Sequence, residues 1–253
     1  MEPVYRTVIG IARGLFAVQG LKIQMSGLEN IPRDGGAVMA INHTGYFDFT
    51  YAGLVGVKAG RLVRFMAKQS IWSNPVAGPL MTGMKHIPVD REAGTESFAT
   101  ARRALRAGEV VGVFPEATIS RSFELKDFKS GAARLAQEAG VPLLPVTIWG
   151  SQRVWTKGHP KQMGRHGFPL LISVGAPIPV AAGDDVAEVT TRMKAAMQAQ
   201  LDADQAAYPT WPEAENHLLP ARLGGAAPTV AEADELERVE RAERVRAMRR
   251  RPK

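Results

Sequence analysis

The chain has 253 residues, 45% hydrophobic and 23% charged, which is the composition of a globular protein with a sizeable core rather than a disordered one. It contains no cysteine, so disulfides, thiol catalysis and cysteine-ligated zinc are excluded. The net charge is +7, and residues 204–253 carry nine acidic and nine basic side chains, so the whole excess lies in the body and suggests an anionic partner.

Nucleic acid is not expected as that partner, because no helix-turn-helix, zinc-finger or aromatic RNA-binding signature accompanies the charge. A phosphorylated metabolite or an acidic membrane surface remains. No secretory signal is expected, since the N-terminal apolar stretch is interrupted and lacks a convincing cleavage site. No run of about 18 apolar residues is present to form a conventional transmembrane helix.

Residues 3–20 begin at Pro3 and read as a helix with a broad apolar surface (Val4, Val8, Ile9, Ile11, Leu15, Phe16, Val18). Arg6 and Arg13 share one face, so the helix suits either a membrane interface or a seat on the core. Leu21, Ile23 and Met25 alternate with Lys22 and Gln24 as a half-buried strand. Further strands are expected near 37–41, 62–67, 86–89, 110–114, 143–149 and 170–175, and helices over 95–107 and 183–203. Strands alternating with helices indicate an α/β fold, a mixed twisted sheet flanked by helices.

The character changes after about residue 204. Tyr208-Pro209-Thr210-Trp211-Pro212 and Leu223-Gly224-Gly225 interrupt regular structure. Thr229 and Glu232 then form a capping box. The helix beyond them offers acid-to-arginine pairs four apart, Asp234–Arg238, Glu237–Arg241 and Glu240–Arg244, with a thin stripe of Leu236, Val239 and Val245. It reads as a solvated or loosely docked appendage, with a membrane or partner role for Arg249-Arg250-Arg251 as the alternative. Trp72, Trp149, Trp155 and Trp211 are equally open, as interface anchors or as packing residues.

Chemistry is concentrated in Asn42-His43-Thr44-Gly45-Tyr46-Phe47-Asp48, directly after the strand at 37–41. A histidine at a strand end, with a carboxylate able to return to its ring, suits a general base. The imidazole takes a proton while the carboxylate fixes its tautomer and supports the cation. Positions five apart point away from each other on a helix, so the pair can cooperate only across a bend, which Gly45 is suited to make. Taken alone, His43 reads as readily as a hydrogen-bonded structural histidine. His43 and Asp48 have no visible third partner for a metal and His86 has none at useful spacing, so no metal or cofactor is expected.

Three further blocks follow in order: Ile87-Pro88-Val89-Asp90-Arg91, Val113-Phe114-Pro115-Glu116-Ala117-Thr118 and Val141-Pro142-Leu143-Leu144-Pro145-Val146. Together with the His43–Asp48 block they resemble the glycerolipid acyltransferase superfamily, in particular the 1-acylglycerol-3-phosphate O-acyltransferases. Ala67-Lys68 with Asn74-Pro75, and Phe128-Lys129-Ser130-Gly131-Ala132, are lesser matches. The resemblance covers about residues 20–180. Ala117 stands where the family has a glycine, so the turn there must suit a residue with a Cβ. Arg121 sits two positions later than the family's arginine.

The resemblance implies acyl transfer from a thioester, acyl-CoA or an acyl carrier protein, to a lipid hydroxyl, with residues 1–203 as the acyltransferase domain and 204–253 as an extension. His43 would take the acceptor's proton and Asp48 would hold the ring, with no serine or cysteine nucleophile. Lys68, Arg91 and Arg121 are the candidates for the acceptor's phosphate, since guanidinium can pair bidentately with it. Glu116 belongs to the acceptor site by resemblance, or else is a structural carboxylate capping a following helix, and Thr118 has the same two readings. The expected acceptor is a lysophospholipid, 1-acylglycerol-3-phosphate first, at the cytoplasmic face of an anionic membrane. The alternatives are glycerol-3-phosphate or another lysophospholipid as acceptor, ester hydrolysis, or a non-catalytic lipid-binding protein on the same fold.

Overall fold

The structure is a computed structural model, described over residues 2–90 and 94–249. In chain order its main elements are α1 (Pro3–Gln19), β1 (Lys22–Ser26), β2 (Ala37–Ile41), α2 (Asp48–Lys58), β3 (Val63–Lys68), α3 (Ala77–Gly83) and β4 (Ile87–Val89). Then come α4 (Gly94–Arg106), β5 (Val110–Val113), α5 (Gly131–Ala139), β6 (Leu143–Trp149), β7 (Pro169–Val174), α6 (Val186–Ala207) and α7 (Val230–Arg249). All seven strands and the three helices expected from periodicity are present, with ends shifted by a few residues.

The strands form one sheet in the order β1-β7-β6-β2-β5-β3-β4. β6, β2, β5, β3 and β4 run parallel, while β7 turns back against β6 and takes β1 with it. Parallel strands buried on both faces need continuous apolar runs, and β2, β5 and β6 are buried along their whole length. Alternation then sorts side chains by face. Val38 and Ala40 join α4, α5 and α6 on one side; Ala37, Met39 and Ile41 join α1 and α2 on the other.

α6 presents Val189, Met193, Met197 and Leu201 to that first face, a stripe at helical spacing. It is pinned by Asp204, which accepts from Thr147 and Ser173 at 2.6 Å each; burial raises this carboxyl. α1 does sit on the core. Tyr5 and Phe16 are buried, Tyr5 donates to the Val63 carbonyl at 2.9 Å, and Glu2 pairs with the buried Arg64. Ile11 and Val18 nevertheless remain exposed on its outer side.

Residues 208–227 also lie against the body. The Arg153 guanidinium sits over the rings of Phe168 and Trp211 and pairs with Glu215, and Trp149 is core rather than surface. The capping box at Thr229 and Glu232 forms, with the Thr229 amide donating to Glu232 at 2.8 Å. The pairing expected between Asp234 and Arg238 gives way, and the side chain of Arg244 lies outside the described residues. Glu237 and Glu240 turn to the body, and Arg238 pairs with Glu235.

Candidate active site

The parallel strands bring four loops to one edge of the sheet. β2 leads through Asn42 to His43, β5 runs into Phe114–Glu116, β3 ends at Lys68 and β4 leads to Asp90. Ligands of open parallel sheets bind outside these carboxyl ends. Beyond Ile41 the β2–β6 pairing is continued by a side chain: Asn42 accepts from the Ile148 amide at 2.7 Å and donates to its carbonyl at 3.1 Å. This holds the chain in line up to His43, where it leaves the sheet.

The bend required between His43 and Asp48 is present, and α2 begins only at Asp48. One oxygen, Asp48 Oδ2, collects three donors: the amides of Thr44 and Gly45 at 2.8 Å each, and His43 Nδ1 at 3.0 Å. The carboxylate is fully buried in the first turn of α2, where the helix dipole favours negative charge. Against such an acceptor Nδ1 carries the proton and Nε2 holds the lone pair. Among the described residues no hydrogen bond falls on Nε2, and the ring is 20% exposed. It stacks on Phe114, with ring centroids 4.2 Å apart. The arrangement can therefore accept a proton at one defined atom.

Gly45 serves this turn by its size, since its φ is not positive. A Cβ there would come within 3.0–3.2 Å of Ser151 Oγ, the Ser151 carbonyl and Asp48 Oδ1. The segment after β6 closes the turn from the other side. Thr44 Oγ1 meets Ser151 Oγ at 3.0 Å and Thr156 donates to the Thr44 carbonyl at 2.6 Å. Ser151 and Thr156 were not legible in the chain, since they lie over 100 residues away with no motif around them.

Glu116 is buried beneath His43. It accepts from the His43 amide at 2.8 Å and from the Lys126 amide at 3.2 Å, so one carboxyl ties the His43–Asp48 turn to the loop after β5. Burial pushes it up to about 8, with nearby Asp48 adding to the rise, while the two amides and the Lys126 charge pull it down. In this position it holds backbone on both sides rather than capping a helix. Ser120 adds a further tie, its amide donating to the His43 carbonyl at 2.8 Å.

Ala117 adopts φ +62°, the left-handed conformation that glycine would take without strain. The loop then carries Thr118, Arg121 and Lys126 together. Lys126 Nζ donates to Thr118 Oγ1 at 2.9 Å, and Arg121 lies against the segment holding Gly158. Lys68 is not among this group. It closes β3, two strands from β2, a span of about 10 Å. Arg91, the remaining phosphate candidate, lies outside the described residues. His86 is a structural histidine: Phe65 donates its amide to Nδ1 at 3.1 Å, and burial lowers the ring to about 4.

Comparison with known proteins bears on this edge of the sheet directly. The Acyltransferase family model matches residues 22–149. The chain is 37% identical over 123 residues to a 1-acyl-sn-glycerol-3-phosphate acyltransferase of Bacillus subtilis, a match covering 48% of this chain and 60% of that protein. It is 32% identical over 142 residues to the chloroplastic LPAT1 of Arabidopsis thaliana, covering 54% of this chain and 38% of the relative. The fold matches the crystal structure of the 1-acyl-sn-glycerophosphate acyltransferase PlsC from Thermotoga maritima with a TM-score of 0.69, at 21% identity and 81% coverage of both chains. The family match begins at β1 and ends with β6, so it encloses the His43–Asp48 turn and the Glu116 loop: this chain belongs to the Acyltransferase family.

Proposed function

We propose that the protein transfers a fatty acyl group from a thioester, acyl-CoA or an acyl carrier protein, to the free hydroxyl of 1-acylglycerol-3-phosphate, giving phosphatidic acid. The observation that carries this is the His43 ring, anchored through Nδ1 on buried Asp48 with Nε2 uncommitted. The acceptor hydroxyl gives its proton to Nε2 as its oxygen attacks the thioester carbonyl. The tetrahedral intermediate collapses by breaking the C–S bond, and the imidazolium returns the proton to the departing thiolate. Asp48 keeps the tautomer and balances the transient cation. The acceptor's phosphate falls to cationic residues of the surrounding loops. The names of the Bacillus and Arabidopsis relatives favour this acceptor over other lysophospholipids.

Access to a lipid tail is supported by an apolar groove between α1 and α2, lined among others by Tyr5, Ile9, Phe16, Phe49, Leu54 and Phe65. Phe49 follows Asp48 directly, so the groove opens one residue from the carboxylate that holds the base. No helix of the described residues is long and apolar enough to cross a membrane. With Ile11 and Val18 exposed on α1 and a basic body, we place the enzyme peripherally on an anionic membrane, at its cytoplasmic face. The test is one labelled thioester donor offered to a panel of acceptors. Label should appear in phosphatidic acid, with thiol released only when acceptor is present. Thiol release without acceptor would mean hydrolysis, and label in another lipid would reassign the acceptor.

A further inference from the structure

The cations gathered on the loop after β5 are already engaged by carboxylates from the C-terminal helix. Glu237 reaches Lys126 Nζ at 2.5 Å and Thr118 Oγ1 at 3.4 Å. Glu240 pairs with Arg121 through one oxygen and with Lys157 at 2.6 Å through the other. Two carboxylates thus serve three cations and a hydroxyl, the donor set a phosphate monoester would use. That set is joined to the catalytic turn by Glu116, which bonds the amides of both His43 and Lys126, and by Ser120 on the His43 carbonyl.

α7 is held differently from α6. Ala233, Glu237 and Glu240 share its inward face at helical spacing, and Ala233 is the buried apolar residue there. Leu236 and Val239 are 43% and 42% exposed. α6, by contrast, buries four large apolar side chains. Among its described side chains α7 is docked by charge and one small residue, with little apolar burial to hold it, so local release is cheap. The chain is fixed up to Ala227, whose amide bonds the Leu219 carbonyl, and the helix is capped from Thr229. Pro228 between them is the natural pivot.

We propose that Thr118, Arg121, Lys126 and Lys157 form a subsite for a phosphate monoester, and that α7 is a strap whose Glu237 and Glu240 occupy it until the phosphate displaces them. Lys126 and Lys157 thereby join the binding residues, and the tail sets the apparent affinity for acceptor. The inference rests on the acceptor reading given above. An anion that bonds the same cations competes directly with the strap, and its binding frees the helix.

Two measurements on the full chain test this. In steady-state acyl transfer, the double variant Glu237→Gln/Glu240→Gln should show a KM for 1-acylglycerol-3-phosphate about three- to tenfold lower than wild type, the scale of three partly exposed ion pairs. The KM for the thioester donor should not move. An unchanged or higher acceptor KM overturns the strap. In hydrogen exchange, amides of residues 230–243 should exchange faster with phosphatidylcholine vesicles carrying 1-acylglycerol-3-phosphate than with phosphatidylcholine vesicles alone. Faster exchange with glycerol-3-phosphate in solution would also support the subsite and assign it to the phosphate rather than the lipid. Equal exchange with both vesicle types overturns it. Exchange needs no turnover, so a wild-type protein that fails to acylate this acceptor yet loosens α7 would refute the acceptor reading and keep the strap.

Discussion

Asp48 does three things with one oxygen, and a substitution can separate them. Asparagine can still accept from the Thr44 and Gly45 amides, but it cannot hold the His43 ring in the same charge-assisted way. Asp48→Asn should therefore lower kcat by about a hundred- to ten-thousandfold, the range seen when a base loses its orienting acid, with a smaller change in acceptor KM. Steady-state kinetics read this, and a kcat within threefold of wild type would remove Asp48 from the mechanism. Ala117 is a residue-scale case of the opposite kind. Its left-handed φ costs strain that glycine avoids, partly offset by glycine's greater freedom when unfolded. Ala117→Gly should raise stability by about 0.5–1 kcal/mol, visible as a higher melting temperature. The sequence showed this position as a departure from the family's glycine; only the structure shows that the backbone keeps the glycine conformation.

At the scale of elements, the sheet was legible because its strands are buried on both sides and bounded by polar breaks. β2 is apolar throughout and β6 is so but for Thr147, and each was placed from that run. Helices with a clear stripe, α4 and α6, were likewise visible. α2 was less so, because its residues after Asp48 are apolar on several sides and show no cap that a sequence announces. Gly112 lets β5 and β3 pack closely: a Cβ there would stand 2.6 Å from two ring atoms of Phe65. Gly112→Ala should destabilise the protein by about 1–3 kcal/mol through overpacking between β5 and β3, measurable by urea unfolding. An unchanged midpoint would show that Phe65 moves freely aside. The last helix was mispaired in the sequence because pairs four apart are a local rule, whereas Glu237 and Glu240 find cations over 80 residues distant.

On the scale of the whole molecule, the site is a product of topology. Blocks separated by more than 70 residues meet because parallel strands deliver their carboxyl ends to one edge. The order of those blocks could be read in the chain; the support behind them, Ser151, Thr156, Lys126 and Lys157, could not, since nothing local marks such residues. Glu116 couples this assembly to pH. Its folded value of about 8 lies above the ordinary 4.5, so the native state binds more protons between those values. The stability this provides is full below about 4.5 and is lost as pH rises through about 8. Unfolding in urea at pH 5 and pH 8 should show wild type losing stability relative to Glu116→Gln across that interval, whereas parallel trends would place Glu116 outside the linkage.

The central claim is that Nε2 of His43 is the base for acyl transfer. Thiol release from a thioester donor, followed with and without 1-acylglycerol-3-phosphate in wild type and in His43→Ala, tests it most directly. Wild type should release thiol only with acceptor present, and His43→Ala should fall to background while its circular dichroism spectrum and melting curve stay those of a folded protein. Acceptor-dependent release by the folded His43→Ala variant at a rate near that of wild type would contradict the claim.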